Sequence, residues 1–132
     1  MNRRLLLTGF GGALLASAFR ASAAPSPNRS PPMVIEYIRY EIAASRREAF
    51  LAAWRDAASE LRGSPHCLRY EVSRGVEEPG HFVVRLEWDS LEGHERGFRA
   101  SPGFGPFFQK VKPFYEAIRE MKHYALSDVV SG

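Results

Sequence analysis

The chain has very little cysteine. Cys67 is the single cysteine among 132 residues, so no disulfide can form within the chain and a cysteine-based metal cluster is excluded. Glycine-rich phosphate loops and the nucleophile elbow of serine hydrolases are also missing from the sequence. Without disulfides or a cysteine-based metal cluster, a domain of about 100 residues has to bury a substantial hydrophobic core. Small domains gain further stability from oligomerisation.

An excess of charge of one sign is also missing once the first residues are set aside. The formal net charge is +3, from 18 basic and 15 acidic residues. Arg3, Arg4 and Arg20 lie in a segment that we expect to be removed, which leaves 15 residues of each sign. A neutral domain of mixed sign has no electrostatic footprint for nucleic acid. We therefore predict no nucleic-acid partner.

The first 23 residues have the three parts of an export signal. Two arginines precede an apolar stretch at 5–19, and Ala21, Ser22 and Ala23 form a small-residue cleavage site. The paired arginines before LLLTG are similar to a twin-arginine signal, and an uncleaved anchor is the alternative. The apolar stretch is too short and too rich in glycine and alanine for a comfortable membrane span. We expect an exported, periplasmic bacterial protein with no membrane contact beyond the signal.

The remainder is organised as one domain. Residues 24–32, APSPNRSPP, form a Pro/Ser linker without apolar periodicity. The domain is expected at 33–127, with a loose tail at 128–132.

Four segments have the composition of β-strands. CLRYEVSRGV and HFVVRLEW alternate apolar and polar residues on either side of the turn EEPG, which predicts an antiparallel hairpin. VIEYIRYEI is β-branched and aromatic, and MKHYALS has the pattern of a last strand. The predicted strands are 34–42, 67–76, 81–88 and 121–127.

Two helices are predicted between these strands. The first lies in SRREAFLAAWRDAASELR, whose apolar residues recur at helical spacing, and it ends at Gly63. The second begins at a capping box of Asp89 and Glu92, continues to about Ala100 and restarts at Ser101 and Pro102. Residues 114–120 are left open between helix and loop.

The order β-α-β-β-α-β predicts a ferredoxin-like α+β fold, a four-stranded antiparallel sheet with helices on one face. The other face of such a sheet is exposed. Here it carries Arg69, Glu71, Val83 and Arg85 together with one side of the first strand. The arginines and glutamates of the hairpin can pair across the strands. A half-apolar, half-paired surface suits a second copy of the chain, so a homodimer through the open sheet face is predicted.

The stretch CLRYEVSRGVEEPGHFVVRLEWDSLEGHERGFRASPGFGPFF, with the later EMKHY, resembles the antibiotic biosynthesis monooxygenase family over about residues 34–126. The resemblance implies a dimeric α+β barrel, in which two ferredoxin-like sheets pack face to face and each subunit keeps a pocket between its helices and its own sheet. It also implies a cofactor-independent monooxygenase that oxidises a small aromatic, quinol-type substrate with dioxygen, without metal or flavin.

The same resemblance implies two catalytic residues, Trp88 in the EW segment and His94 on the following helix. A histidine can act as base or donor, and tryptophan or tyrosine can stack on a substrate ring and donate to it. The alternative for His94 is a solvated or capping residue on a charged turn. Its position one turn before Phe98 favours partial burial.

Six further aromatic residues are candidates for binding the ligand. Tyrosine hydroxyls could orient it, and phenylalanine rings could form the wall of its pocket. The alternative for the phenylalanines is an ordinary core stripe. The candidates are Tyr40, Tyr70, Phe98, Phe104, Phe107 and Phe108.

The four histidines have no ligand spacing with a carboxylate along the chain, so no metal site is predicted. His81 and His123 are expected to be structural or exposed. Two other functions stay open. One is a non-catalytic small-molecule-binding or stress-response dimer. The other is a haem-binding or haem-degrading protein, which is disfavoured because haem-degrading relatives carry an asparagine in the first strand and VIEYIRYEI has none.

Overall fold

The computed structural model of the protein describes residues 32–131. The predicted export signal at 1–23 and nearly all of the linker lie outside the described residues, so export stays a prediction. Among residues 32–131, none of the helices has the length and apolar character needed to cross a membrane.

Four antiparallel strands form one sheet. They are β1 (Val34–Glu41), β2 (Cys67–Arg74), β3 (His81–Trp88) and β4 (Ile118–Ala125). Their order across the sheet is β2-β3-β1-β4, so the first and the last strand, β1 and β4, pair side by side. This topology confirms the predicted ferredoxin-like fold.

The helices lie in the two crossovers of the sheet. Their bounds are α1 (Arg47–Arg62), a π-helix (Gly93–Phe98) and α2 (Phe104–Val111), with short 3₁₀ turns at Ala44–Arg46 and Lys112–Ala117. α1 buries the stripe that its spacing predicts, and Gly63 follows its last residue. Pro113 stands in the first turn of the second 3₁₀ segment, where a missing N–H costs nothing.

The core lies between the helices and one face of the sheet. Alternate residues of β3 point to this face and are fully buried. Alternate residues of β1, from Glu36 to Tyr40, are buried on the same face. Each large apolar side chain buried here contributes about 1.5–3 kcal/mol. The buried residues of β3 are Phe82, Val84, Leu86 and Trp88.

The opposite face of the sheet carries the expected charged residues, but they pair along the strands. Arg85 binds Glu87 and Arg69 approaches Glu71, in each case two residues away on the same strand. Arg69 and Glu87 are opposite each other in the β2–β3 pairing. Among residues 32–131, however, they form no ion pair with each other. These residues therefore use partners on their own strand rather than the cross-strand partners that the pattern allowed.

The second crossover differs from its prediction in three places. Ser90 rather than Asp89 caps the first turn, since the Gly93 N–H donates to Ser90 Oγ at 2.9 Å. Asp89 instead binds the Nδ1 atom of His66 at 3.0 Å. The helix restarts at Phe104 rather than at Ser101, and the last strand begins at Ile118, earlier than the predicted 121.

A π-helix replaces the predicted α-helix around His94. The Arg99 N–H donates to the His94 carbonyl, five residues earlier, at 3.1 Å. The His66 ring packs so closely against this segment that a Cβ at Gly97 would lie 2.4 Å from His66 Cδ2. Such single wide turns are rare and occur often at functional sites. This one turns the His94 side chain into the protein interior.

We predict that Gly97→Ala destabilises the protein by about 1–3 kcal/mol, the usual cost of overpacking. Gly105→Ala is the matched control, because no atom lies within 4 Å of its added Cβ. Urea unfolding of both variants measures the difference. Equal stability of the two would show that the His66 contact does not constrain the π-helix.

Candidate functional site

A cavity of about 260 Å³ lies between the helices and the β1–β4 side of the sheet. Its inner wall is made of buried side chains of β1, α1 and the π-helix, and its rim carries the exposed Arg99, Tyr115 and Met121. This volume is slightly below the usual range for small-molecule sites, about 300–1,000 Å³, which limits the ligand to a small molecule. A larger groove of about 610 Å³ elsewhere is open and lined mainly by charged side chains, so it offers no comparable apolar enclosure.

Two polar side chains, Glu36 and His94, line the cavity, and His123 lies next to both of them. Glu36 on β1 and His123 on β4 are direct neighbours across the sheet, and His94 reaches them from the π-helix. His94 Nδ1 lies 2.7 Å from His123 Nε2, a hydrogen bond in which one ring donates and the other accepts. His94 Nε2 lies 3.6 Å from Glu36 Oε1. We call Glu36, His94 and His123 the polar cluster.

Trp88 holds two members of the polar cluster in place. Its ring stacks on His94 with centroids 4.2 Å apart and planes inclined by 15°. Its Nε1–H donates to Glu36 Oε1 at 3.1 Å. Trp88 itself is 1% exposed and does not line the cavity, so it positions the cluster from behind.

Burial dominates the electrostatics of the polar cluster. Glu36 is 3% exposed and His94 is 4% exposed. Burial raises the pKa of Glu36, although the hydrogen bond from Trp88 and the nearby His123 oppose this effect. Burial, followed by the neighbouring His123 and Arg99, lowers the pKa of His94 to about 3. His94 is therefore a neutral imidazole at physiological pH, with one N–H and one lone pair.

Phenylalanine rings form the side of the cavity that faces the helices. Phe98 contacts Phe104 and Phe107 edge to face, at centroid distances of 5.8 and 5.3 Å. Phe108 stacks on Phe104 at 5.8 Å. The structure thus brings together these four predicted ligand-binding phenylalanines in one wall, which offers both faces and edges to a flat ligand.

Tyr40 also lines the cavity, and Tyr70 does not. Burial raises the pKa of Tyr40 well above its ordinary value, so its hydroxyl stays a protonated donor. Tyr70 lies on β2, at the opposite edge of the sheet from β4. Its hydroxyl accepts a hydrogen bond from Arg62 at 2.7 Å, and it borders a separate depression under α1. Tyr70 therefore cannot touch a ligand that occupies the cavity.

Two residues of the polar cluster are absent from the predicted site residues, and one of them, His123, was expected to be structural or exposed. Glu36 was available from the pattern, because it is in phase with Ile38 and Tyr40 on β1 and so faces the helices. His123 has no such local signal, since its place opposite Glu36 depends on the pairing of β1 with β4. Spacing along the chain offered no set of histidines with a carboxylate, whereas this pairing brings two histidines and one carboxylate within 4.8 Å of one another.

The profile of the family described as antibiotic biosynthesis monooxygenase matches residues 33–110, more than half of the chain. The chain belongs to this family. The matched region includes β1, the π-helix and most of α2, and therefore Glu36 and His94. It ends before β4, so His123 lies beyond it.

Individual relatives agree with this assignment. The uncharacterized protein YczJ of Bacillus subtilis is 27% identical over 92 residues, which are 70% of this chain and 97% of YczJ. A candidate antibiotic biosynthesis monooxygenase from Bordetella bronchiseptica superposes with a TM-score of 0.61 at 20% identity, covering 75% of this chain and 99% of that one. SnoaB, a cofactor-independent oxygenase from Streptomyces nogalater, gives 0.58 at 17% identity, over 76% and 96%. At these identities the structural likeness establishes the shared fold.

We predict that Trp88→Phe destabilises the protein more than Trp54→Phe, by about 1.5–3 kcal/mol. Both tryptophans are buried, but only Trp88 donates to a carboxylate, and hydrogen bonds to charged groups are worth about this much. Trp54 Nε1 has no hydrogen-bond partner among residues 32–131. Urea unfolding checks the difference, and an equal or larger loss in Trp54→Phe would contradict it.

Proposed function

We propose that the protein is a monooxygenase that oxidises a small aromatic, quinol-type substrate with dioxygen and requires no cofactor. The observation that carries the proposal is the aromatic cavity whose lining includes the buried Glu36 and His94 of the polar cluster. The family and the likeness to a cofactor-independent oxygenase support it. Because function does not follow from fold, the roles of the individual residues have to be argued from their geometry.

The first step is the transfer of a quinol O–H proton to the polar cluster. Glu36 is the better acceptor, because burial destabilises its charge and raises its pKa, whereas that of His94 is lowered. Both residues line the cavity. Glu36 receives the proton, and His94, as a neutral imidazole, hydrogen-bonds the substrate oxygen. Trp88 acts as a positioning residue, since it contacts Glu36 and His94 rather than the cavity.

The quinolate left by this transfer is electron-rich and reduces dioxygen. One oxygen atom enters a ring carbon to give a hydroxyquinone, and the other leaves as water with two hydrogen atoms from the substrate. The substrate supplies all the electrons, so the balance requires no external reductant. The phenylalanine wall holds the flat ring and excludes water, which protects the anion from reprotonation.

The alternative of a non-catalytic binding protein predicts a His94 that points to solvent. His94 is instead buried and lines the cavity beside Glu36. A polar cluster inside an apolar site is costly for a protein that only needs to bind an apolar molecule. Its presence favours the enzyme over the binding module.

We predict that Glu36→Gln lowers the rate of oxygen uptake by about 10²- to 10⁴-fold, the usual contribution of a general base. Glutamine keeps an acceptor for Trp88 and removes the proton acceptor. His94→Ala is expected to lose at least about tenfold. The measurement is oxygen uptake by the purified protein with a panel of reduced quinols.

Tyr70→Phe is the control for both variants, because Tyr70 lies outside the cavity. Its rate should equal that of the parent. Uptake by the parent no faster than the quinol's own autoxidation would overturn the enzyme. Equal rates in the parent and in Glu36→Gln would remove Glu36 from the mechanism.

We also propose that two copies associate through the open sheet face. Tyr124 on this face is 45% exposed, and it packs edge to face against Tyr37, which leaves aromatic surface for a second copy to cover. Tyr124→Asp is expected to convert the dimer to a monomer in light scattering, because it places a charge in the contact. Val76→Asp, in the exposed hairpin loop, is the control. A monomeric parent would refute the association.

A further inference from the structure

The polar cluster has the composition of a transition-metal site. One donor atom from each of Glu36, His94 and His123 lies within 4.8 Å of the other two. Two imidazoles and one carboxylate suit zinc, and the same set with open positions suits iron(II). Most surface groups of acidic residues lack imidazole nitrogens and burial, whereas this cluster has two imidazoles, and Glu36 and His94 are buried.

The backbone fixes the three donors relative to one another. Glu36 and His123 are Cα partners in the β1–β4 pairing, so their side chains emerge next to each other on the same face of the sheet. His94 comes from the π-helix above them. Metal–nitrogen bonds of about 2.0–2.1 Å place donor atoms roughly 3–4 Å apart. The nitrogens of His94 and His123, now 2.7 Å apart, would separate by a small rotation of the partly exposed His123 ring.

Trp88 supplies the outer support that metal ligands require. Its N–H donates to Glu36 Oε1 and its ring stacks on His94, so two of the three ligands are held in orientation. Outer partners of this kind are typical of metal sites. A cation would also offset the cost of burying the Glu36 carboxylate.

We propose that Glu36, His94 and His123 bind one divalent first-row transition-metal ion, with an open coordination position facing the aromatic cavity. Three protein ligands leave at least one position for water or for an oxygen atom of an aromatic ligand. The ion would occupy the lone pairs of Glu36 and His94, which in the proposed cofactor-free reaction accept the substrate proton and hydrogen-bond the substrate. Metal binding and that reaction therefore exclude one another, and Zn²⁺ is expected to inhibit oxygen uptake. The site itself does not depend on the proposed function.

The direct test is a titration of the chelator-treated protein with Co²⁺, without any quinol. We expect one equivalent to bind with visible d–d absorption. His123→Gln and Glu36→Gln are expected to weaken binding by at least about a hundredfold, since even loss of an outer partner costs about 10–100-fold. His81→Gln is the matched control, because His81 pairs with Glu41 and Glu78 at the exposed surface. Absence of Co²⁺ binding, or equal affinity in the parent and both cluster variants, would overturn the proposal.

A second measurement requires no variant and so is independent of folding defects. Zn²⁺ is added to ¹⁵N-labelled protein, and the imidazole nitrogens are followed by NMR. The expected result is large shifts at His94 and His123 only, complete at one equivalent. Shifts at His66 or His81 instead, or none at one equivalent, would contradict the site. Because no substrate is present in either experiment, failure of the oxygenase would not change these outcomes.

Discussion

The buried carboxylate of Glu36 is the constraint on which the other features of the site depend. A carboxylate taken out of water is costly unless it is hydrogen-bonded or paired. Trp88 donates to it, and His94 and His123 lie beside it. The strand pairing, the Trp88 rotamer and the π-helix together provide these contacts, so the architecture around the cavity serves to keep one polar group inside an apolar core.

The fold was predictable because its elements have strong local patterns. β3 alternates buried and partly exposed residues without exception, and α1 buries one stripe. The π-helix was not predictable, because nothing in the order of residues from Gly93 to Phe98 distinguishes hydrogen bonds over five residues from the usual four. Its width accompanies a tertiary contact with the His66 ring, which only fits against glycine. The prediction that Asp89 caps this helix was wrong for a similar reason, because Asp89 hydrogen-bonds to His66 instead.

The candidate site was predictable in its aromatic part and not in its polar part. Spacing along one helix brought Phe104, Phe107 and Phe108 together. Tyr70 was wrongly predicted to bind the ligand. The alternation along β2 does not show that the sheet order puts this strand at the edge far from the cavity. Glu36 and His123 are 87 positions apart, and only the β1–β4 register makes them neighbours. Long-range register is the information that a single sequence does not supply.

The same three side chains can hold a proton or a metal ion, and only the first use requires an aromatic ligand in the neighbouring cavity. The proposed oxidation therefore requires that the cavity binds a flat aromatic molecule with its oxygen at the polar cluster. A crystal structure of the protein with a hydroxylated naphthoquinone tests this most directly. We expect the ring to lie against Phe104 and Phe107, with an oxygen within hydrogen-bond distance of Glu36 or His94. A ligand bound in the charged surface groove, with the cavity closed by its own side chains, would contradict it.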